Sequence, residues 1–224
     1  QMLRVNYGDD SRYLLTATVR RDGFSAFGAD RKYGVFPSLA FGWNITNESF
    51  VKDSKFNEIV NNLKLRASWG KNGNEAISPY SSLPNLRSLD YLSSDHSPLF
   101  GFYPSRLASA LLGWETTTST NFGFDFGILD DRITGSFDFY LTNTFDLLLS
   151  RSIPPINGAS EILENIGQTK GNGIDFQISS VNIDSDRFKW TTNLSFVQNK
   201  TVLVDVGLYG EDGEPIDDLG SEWF

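Results

Sequence analysis

Residues 63–74 read LKLRASWGKNGN, and the apolar and polar positions alternate: Leu63, Leu65, Ala67 and Trp69 fall on one face, Lys64, Arg66 and Ser68 on the other. A period of two predicts a β-strand whose faces meet different environments. The pattern recurs. Tyr13, Leu15, Ala17 and Val19 oppose Thr16, Thr18 and Arg20, and Leu39, Phe41, Trp43 and Ile45 oppose Ser38, Ala40, Gly42 and Asn44. Phe122, Phe124, Phe126 and Ile128 oppose Asn121, Gly123, Asp125 and Gly127. Past Asp130-Asp131, the set Ile133, Gly135, Phe137, Phe139 and Leu141 opposes Thr134, Ser136, Asp138 and Tyr140. Ile174, Phe176 and Ile178 oppose Asp175, Gln177 and Ser179, while Trp190, Thr192, Leu194 and Phe196 oppose Thr191, Asn193 and Ser195. With residues 3–7, these segments predict about eight strands.

The connections alternate as well. Turns near Gly8, Asp130 and Asp184 are short, whereas 22–33, 71–113, 152–167 and the segment beyond Val206 are long. Residues 47–62 are intermediate, and the spacing of Phe56, Ile59 and Val60 predicts a short helical turn there. Strands of about ten residues suit a tilted membrane crossing. Short turns at one end and long loops at the other, with Trp43 and Trp190 near the first and Trp69 and Trp114 near the second, match a barrel with aromatic girdles. The expected fold is therefore all-β, an antiparallel transmembrane β-barrel of which this chain holds a part. Phe41, Trp69, Phe124, Phe137 and Phe196 would meet lipid, and Lys64, Arg66, Asp125, Asp138 and Asp175 would face a wet lumen. Any sheet with one solvated face alternates in this way, so a soluble carbohydrate-binding β-sandwich is the competing reading. A passive porin is a third.

Composition narrows the function classes. The net charge of −9 argues against general affinity for nucleic acid or anionic membrane surfaces. No cysteine is present, so disulfides, thiolate metal sites and a Cys nucleophile are excluded. Aromatic content is 14%, yet mean hydropathy is only −0.27, and no apolar run approaches the roughly 20 residues of a membrane-spanning helix. Enzymatic constellations are poor: the single histidine, His96, lies in a long loop beside Asp95 and several serines with no nucleophile elbow around it. Asp125, Asp138 and Asp175 could form acid/base pairs of the glycosidase kind, but on the barrel reading they line water. The acidic tail from Asp205 to Asp218 invites a calcium site, yet its spacing does not match an EF-hand loop, and it reads as a solvated loop. No enzyme, cofactor or metal site is expected. The candidate binding residues are the long-loop aromatics Tyr80, Tyr91, Phe100, Phe102 and Tyr103, because aromatic faces pack on sugars and anchor protein interfaces.

Several blocks resemble the barrel of SusC/RagA-type TonB-dependent outer-membrane transporters: RYLLTATVRRDGFSAFG, YGVFPSLAFGWNITNESF, LKLRASWGKNGNEAISPY, WETTTSTNFGFDFGILDDRITGSFDFY with the following TFDLLL, and NIGQTKGNGIDFQIS. They occur in the family's order and cover most of the chain; residues 81–112 and the tail after Val206 match poorly. The resemblance implies a barrel of roughly 22 strands filled by a plug, with residues 1–224 as part of the barrel domain. The chain reads as a fragment, with the plug, the TonB box and the C-terminal strands outside it. The resemblance further implies a multi-pass protein of the cell outer membrane that imports glycan oligosaccharides or peptides. Its partners would be TonB with its inner-membrane motor, a SusD-like surface lipoprotein acting as a lid, the solute and outer-membrane lipid. The aromatic loop would touch the solute or that lid.

Overall fold

The computed structural model describes residues 1–52, 54, 58–154, 156 and 158–206. Eight strands form one antiparallel sheet: β1 (Met2–Asp9), β2 (Tyr13–Gly23), β3 (Tyr33–Asn44), β4 (Val60–Asn74), β7 (Glu115–Ile128), β8 (Ile133–Phe145), β11 (Gln168–Ser185) and β12 (Phe188–Asp205). They pair in chain order, β1 and β12 at the edges. These are the eight segments that the alternation marks. Strand β4 starts three residues earlier than the pattern indicates, and β12 runs past Phe196 to Asp205.

Register settles the faces. Tyr13, Trp43, Leu65, Phe124, Phe137, Phe176 and Phe196 are successive lateral partners across seven strands. A row away lie Leu15, Phe41, Ala67, Phe122, Phe139 and Ile174. This apolar face has no second layer over it among the described residues, and Leu194 and Phe196 remain 59% and 54% exposed. A soluble sandwich would bury such a row against a facing sheet.

The short connections are built from local chemistry. Asp10 and Ser11 have φ of 45° and 56°, as a tight hairpin turn of primed type requires. Leu129, Asp130 and Asp131 also have positive φ, and the Asp130 amide donates to Asn61 Oδ1 at 2.7 Å from the neighbouring connection. Between β3 and β4 the chain forms a 3-10 turn (Ile45–Asn47) and one helical turn (Ser49–Lys52). The helical turn expected from the spacing of Phe56, Ile59 and Val60 falls in part outside the described residues, Phe56 among them, and Val60 already belongs to β4.

The long connections hold order that the pattern does not announce. Strands β5 (Asn85–Leu92), β6 (Pro98–Arg106), β9 (Leu148–Ser152) and β10 (Glu161–Asn165) form a second, four-stranded sheet in the order β5-β6-β10-β9. It sits at the long-loop end of the main sheet, where the Leu148 amide donates to Glu115 Oε2 at 3.1 Å. The small core also lies at that end. Ala26, Phe27, Phe36 and Leu112 are buried, and Trp114 packs on Phe27 and Phe36 with ring centroids 5.1 and 5.2 Å apart. Gly28 permits this closure: it donates to the Leu112 carbonyl at 2.9 Å, and a Cβ there would run into the Ala110 carbonyl.

Candidate functional site

The five polar-face residues expected to line a lumen all have the same parity in the sheet. Arg66, Gly123, Asp138 and Asp175 are successive lateral partners, and Lys64 lies directly opposite Asp125. The Arg66 guanidinium grips Asp125 with two bonds, Nε to Oδ2 and Nη2 to Oδ1, both 2.9 Å. Its Nη2 also donates to Asp138 Oδ2 at 2.9 Å. To reach Asp138 it must cross β7, and Gly123 is the residue that lies between. A Cβ at Gly123 would stand 2.5 Å from Asp138 Oδ1 and 2.8 Å from the Phe137 carbonyl, so the crossing requires glycine. Arg66, Asp125 and Asp138 are each a fifth to a third exposed, so the cluster is wet on one side. Asp175 joins it laterally, and the Oδ1 atoms of Asp138 and Asp175 are buried without a hydrogen-bond partner among the described residues.

The loop aromatics do not form one cluster. Tyr91 and Tyr103 project from one face of the β5–β6 hairpin, Phe100 and Phe102 from the other, because β6 alternates like any strand. Tyr80 stands apart in a turn with φ of 64°. All five are exposed, Phe100 and Phe102 to 78% and 72%. His96 has φ of 65° in the turn at the hairpin tip, and beside it Asp95 accepts from the Ser97 amide and hydroxyl at 3.1 and 2.7 Å. Those bonds hold the Asp95 carboxyl below its usual range, and they explain it as a turn residue.

The tryptophans divide. Trp43 at the short-turn end stacks with Tyr13, and both donate to Glu48 Oε1, at 2.9 and 2.6 Å. The two bonds draw the Glu48 carboxyl below its ordinary value, against the opposing effect of burial. Trp114, expected beside Trp69 as a rim residue, turns instead into the Phe27–Phe36 cluster and donates Nε1 to the Lys32 carbonyl at 3.3 Å.

One organising residue carries no signal in the alternation. Asn165 accepts from the Gly113 amide at 2.7 Å and donates to the carbonyls of Gly113 and Asp146, both at 3.0 Å. A single amide side chain thereby joins three long-loop segments above a cleft of about 650 Å³ lined in part by Arg31, Trp114 and Glu164. Its place within the NIGQTKGNG block was the available hint. Among the described residues no group of His, Cys, Asp and Glu could hold a metal ion.

Comparison with known proteins bears on all of this. The profile of the family described as TonB dependent receptor-like, beta-barrel matches residues 2–219. The chain belongs to this family. Among relatives of this β-barrel family, TonB-dependent receptor P3 of Formosa agariphila is 39% identical over 201 residues, 90% of this chain and 20% of the relative. TonB-dependent receptor SusC of Bacteroides thetaiotaomicron is 36% identical over 227 aligned residues, covering 95% of this chain and 22% of SusC. The solved structure of the RagAB peptide transporter superposes with a TM-score of 0.81 at 26% identity, covering 92% of this chain and 22% of that one. The chain thus spans about a fifth of the length of the relatives it matches. For a TonB-dependent receptor barrel, an open eight-stranded sheet with one uncovered apolar face is the expected form of a wall segment.

Proposed function

We propose that this chain is part of the barrel wall of a SusC-like TonB-dependent importer in the outer membrane, taking up glycan oligosaccharides or peptides. The observation that carries the reading is the likeness to SusC over 95% of the chain, joined to an aromatic row that crosses seven strands uncovered. On this reading residues 1–224 belong to the barrel domain. The apolar face meets lipid, with Phe41, Trp69, Phe124, Phe137 and Phe196 in the hydrocarbon, and the long-loop end faces outward. Lys64, Arg66, Asp125, Asp138 and Asp175 line the lumen, where charge is hydrated and can meet a plug or a passing solute.

The exposed hairpin aromatics Tyr91, Phe100, Phe102 and Tyr103, with Tyr80 nearby, are the contact for the solute or for a SusD-like lipoprotein lid. Their support is a large apolar area on a protruding two-faced hairpin, which on a monomer in water would be a liability. Transport would be driven by TonB acting through a plug, not by chemistry in this chain.

The test is to extract the native protein from its source membrane in detergent, measure its intact mass and identify what travels with it. A mass several times 25.0 kDa with a co-purifying surface lipoprotein is expected. A mass near 25.0 kDa from a water-soluble fraction would overturn the proposal.

A further inference from the structure

Beyond the Arg66 cluster, toward the long-loop end, the polar face of the main sheet changes character. One lateral row crosses six strands from β3 to β12 as Ser38, Gly70, Ser119, Thr142, Gly171 and Thr201. The row beneath it holds Ser68, Asn121, Tyr140 and Gly173 at its centre. Neither row carries a charge. Thr142 is four residues from Asp138, about 13 Å along β8, so the upper row stands clear of the ionic cluster. With strands about 4.8 Å apart, the belt is about 24 Å wide.

The belt is recessed, and its polar groups are uncommitted. Nothing in the upper row is larger than threonine. A Cβ at Gly171 would stand 2.5 Å from Thr142 Oγ1 and 3.2 Å from Thr201 Oγ1, so the two hydroxyls flank one notch. At Gly173 a Cβ would run into the Tyr140 ring, which therefore lies across β11 as a plate. One row further out, Thr117 and Thr144 satisfy each other at 2.8 Å. The side chains of Ser119, Asn121, Tyr140, Thr142 and Thr201, by contrast, have no hydrogen-bond partner among the described residues, and none of the five is buried.

Hydroxyls and amides both donate and accept, so such a surface meets a ligand rich in hydroxyls anywhere along its width. The ring of Tyr140 suits the apolar face of a sugar. A charged solute would give up its water here and find no counter-charge in the belt. Hydrogen bonds that are several, weak and interchangeable also suit a solute that has to move on. We infer that Ser119, Thr142 and Thr201, with the Tyr140 ring, form a track on the inner wall that binds an uncharged oligosaccharide. This rests on the import reading above and narrows its solute to one chemical class.

The test uses the native-length protein in uncharged detergent, incubated with a mixture of neutral malto-, xylo- and fructo-oligosaccharides, oligogalacturonates and a tryptic digest of casein. Retained solutes are read by mass spectrometry. Neutral oligosaccharide should be retained in preference. Thr142→Val with Thr201→Val should lower that retention at least about fivefold, as two hydrogen bonds are lost, and serine at both positions should keep it. Thr118→Val, at the same height on the apolar face, should match wild type. Heat-dependent gel mobility verifies that each variant is folded. Undiminished retention in the double valine variant, an equal fall in Thr118→Val, or retention of no saccharide overturns the track. Preferential retention of peptides or oligogalacturonates overturns the uncharged class and leaves the importer standing. Recovery of the protein from its source without detergent would instead overturn the barrel reading.

Discussion

Replacing Phe124 by arginine tests the two-faced wall most directly. Phe124 is four residues from the short-turn end of β7, about 13 Å along the strand and about 9 Å of depth after tilt. Its ring stacks on Phe137 at 5.6 Å and lies 6.1 Å from Phe126. A charge on the lipid side at that depth costs about 2–3 kcal/mol, part of the midplane penalty. Losing two ring contacts adds about 1–3 kcal/mol, so the total is about 3–6 kcal/mol. The matched control is Gln177→Arg, an exposed polar-face position in the row of Asp125 and Ser136, where the cost should stay within about 0.5 kcal/mol. The assay is folding of the native-length protein into bilayers, scored by heat-dependent gel mobility and then by urea titration. Phe124→Arg should fail to insert or lose several kcal/mol, while Gln177→Arg should behave as wild type. Equal damage at both positions, or tolerance at Phe124 with loss at Gln177, would refute the assignment of faces.

Three further outcomes follow from the geometry. Arg66→Met leaves Asp125 and Asp138 without their shared cation and should cost about 1–3 kcal/mol, discounted for partial exposure; adding Asp138→Asn should restore part of it in a double-mutant cycle of urea midpoints. Gly123→Ala places a methyl against Asp138 Oδ1 and the Phe137 carbonyl and should destabilise by about 1–3 kcal/mol, with no change expected for alanine at the open, exposed position of Asn199. Glu48, whose folded carboxyl titrates below its unfolded value near about 4.3, should add stability that is complete above that value and lost as pH falls through the folded one. The difference in urea midpoint between wild type and Glu48→Gln should shrink across that window, and a difference independent of pH would remove Glu48 from the account.

The alternation alone determined the eight strands of the main sheet, their faces and the asymmetry of their connections. Each strand is long, and a one-residue slip would bring Phe124 or Phe137 to the wet side, so local pattern and register agree. The lateral row from Tyr13 to Phe196 is the sum of seven such local decisions. Lys64, Arg66, Asp125, Asp138 and Asp175 could be placed on one face for the same reason. The family resemblance was legible too, because its blocks are those same strands.

Other features depend on neighbours distant in the chain. Nothing near Gly123 indicates that Arg66 reaches over it to Asp138, since the three residues meet only through the pairing of β4, β7 and β8. Strands β5, β6, β9 and β10 were hidden because both faces of the β5–β6 hairpin carry aromatics, which erases the period of two. Trp114 read as a rim residue, and tertiary packing turned it inward onto Phe27 and Phe36. Asn165 looked like a loop amide until three loops converged on it. Sequence determines which way a strand's side chains point, because that is set by the two-residue repeat of its own backbone. Only the tertiary structure decides what they meet, because that depends on which strands become neighbours.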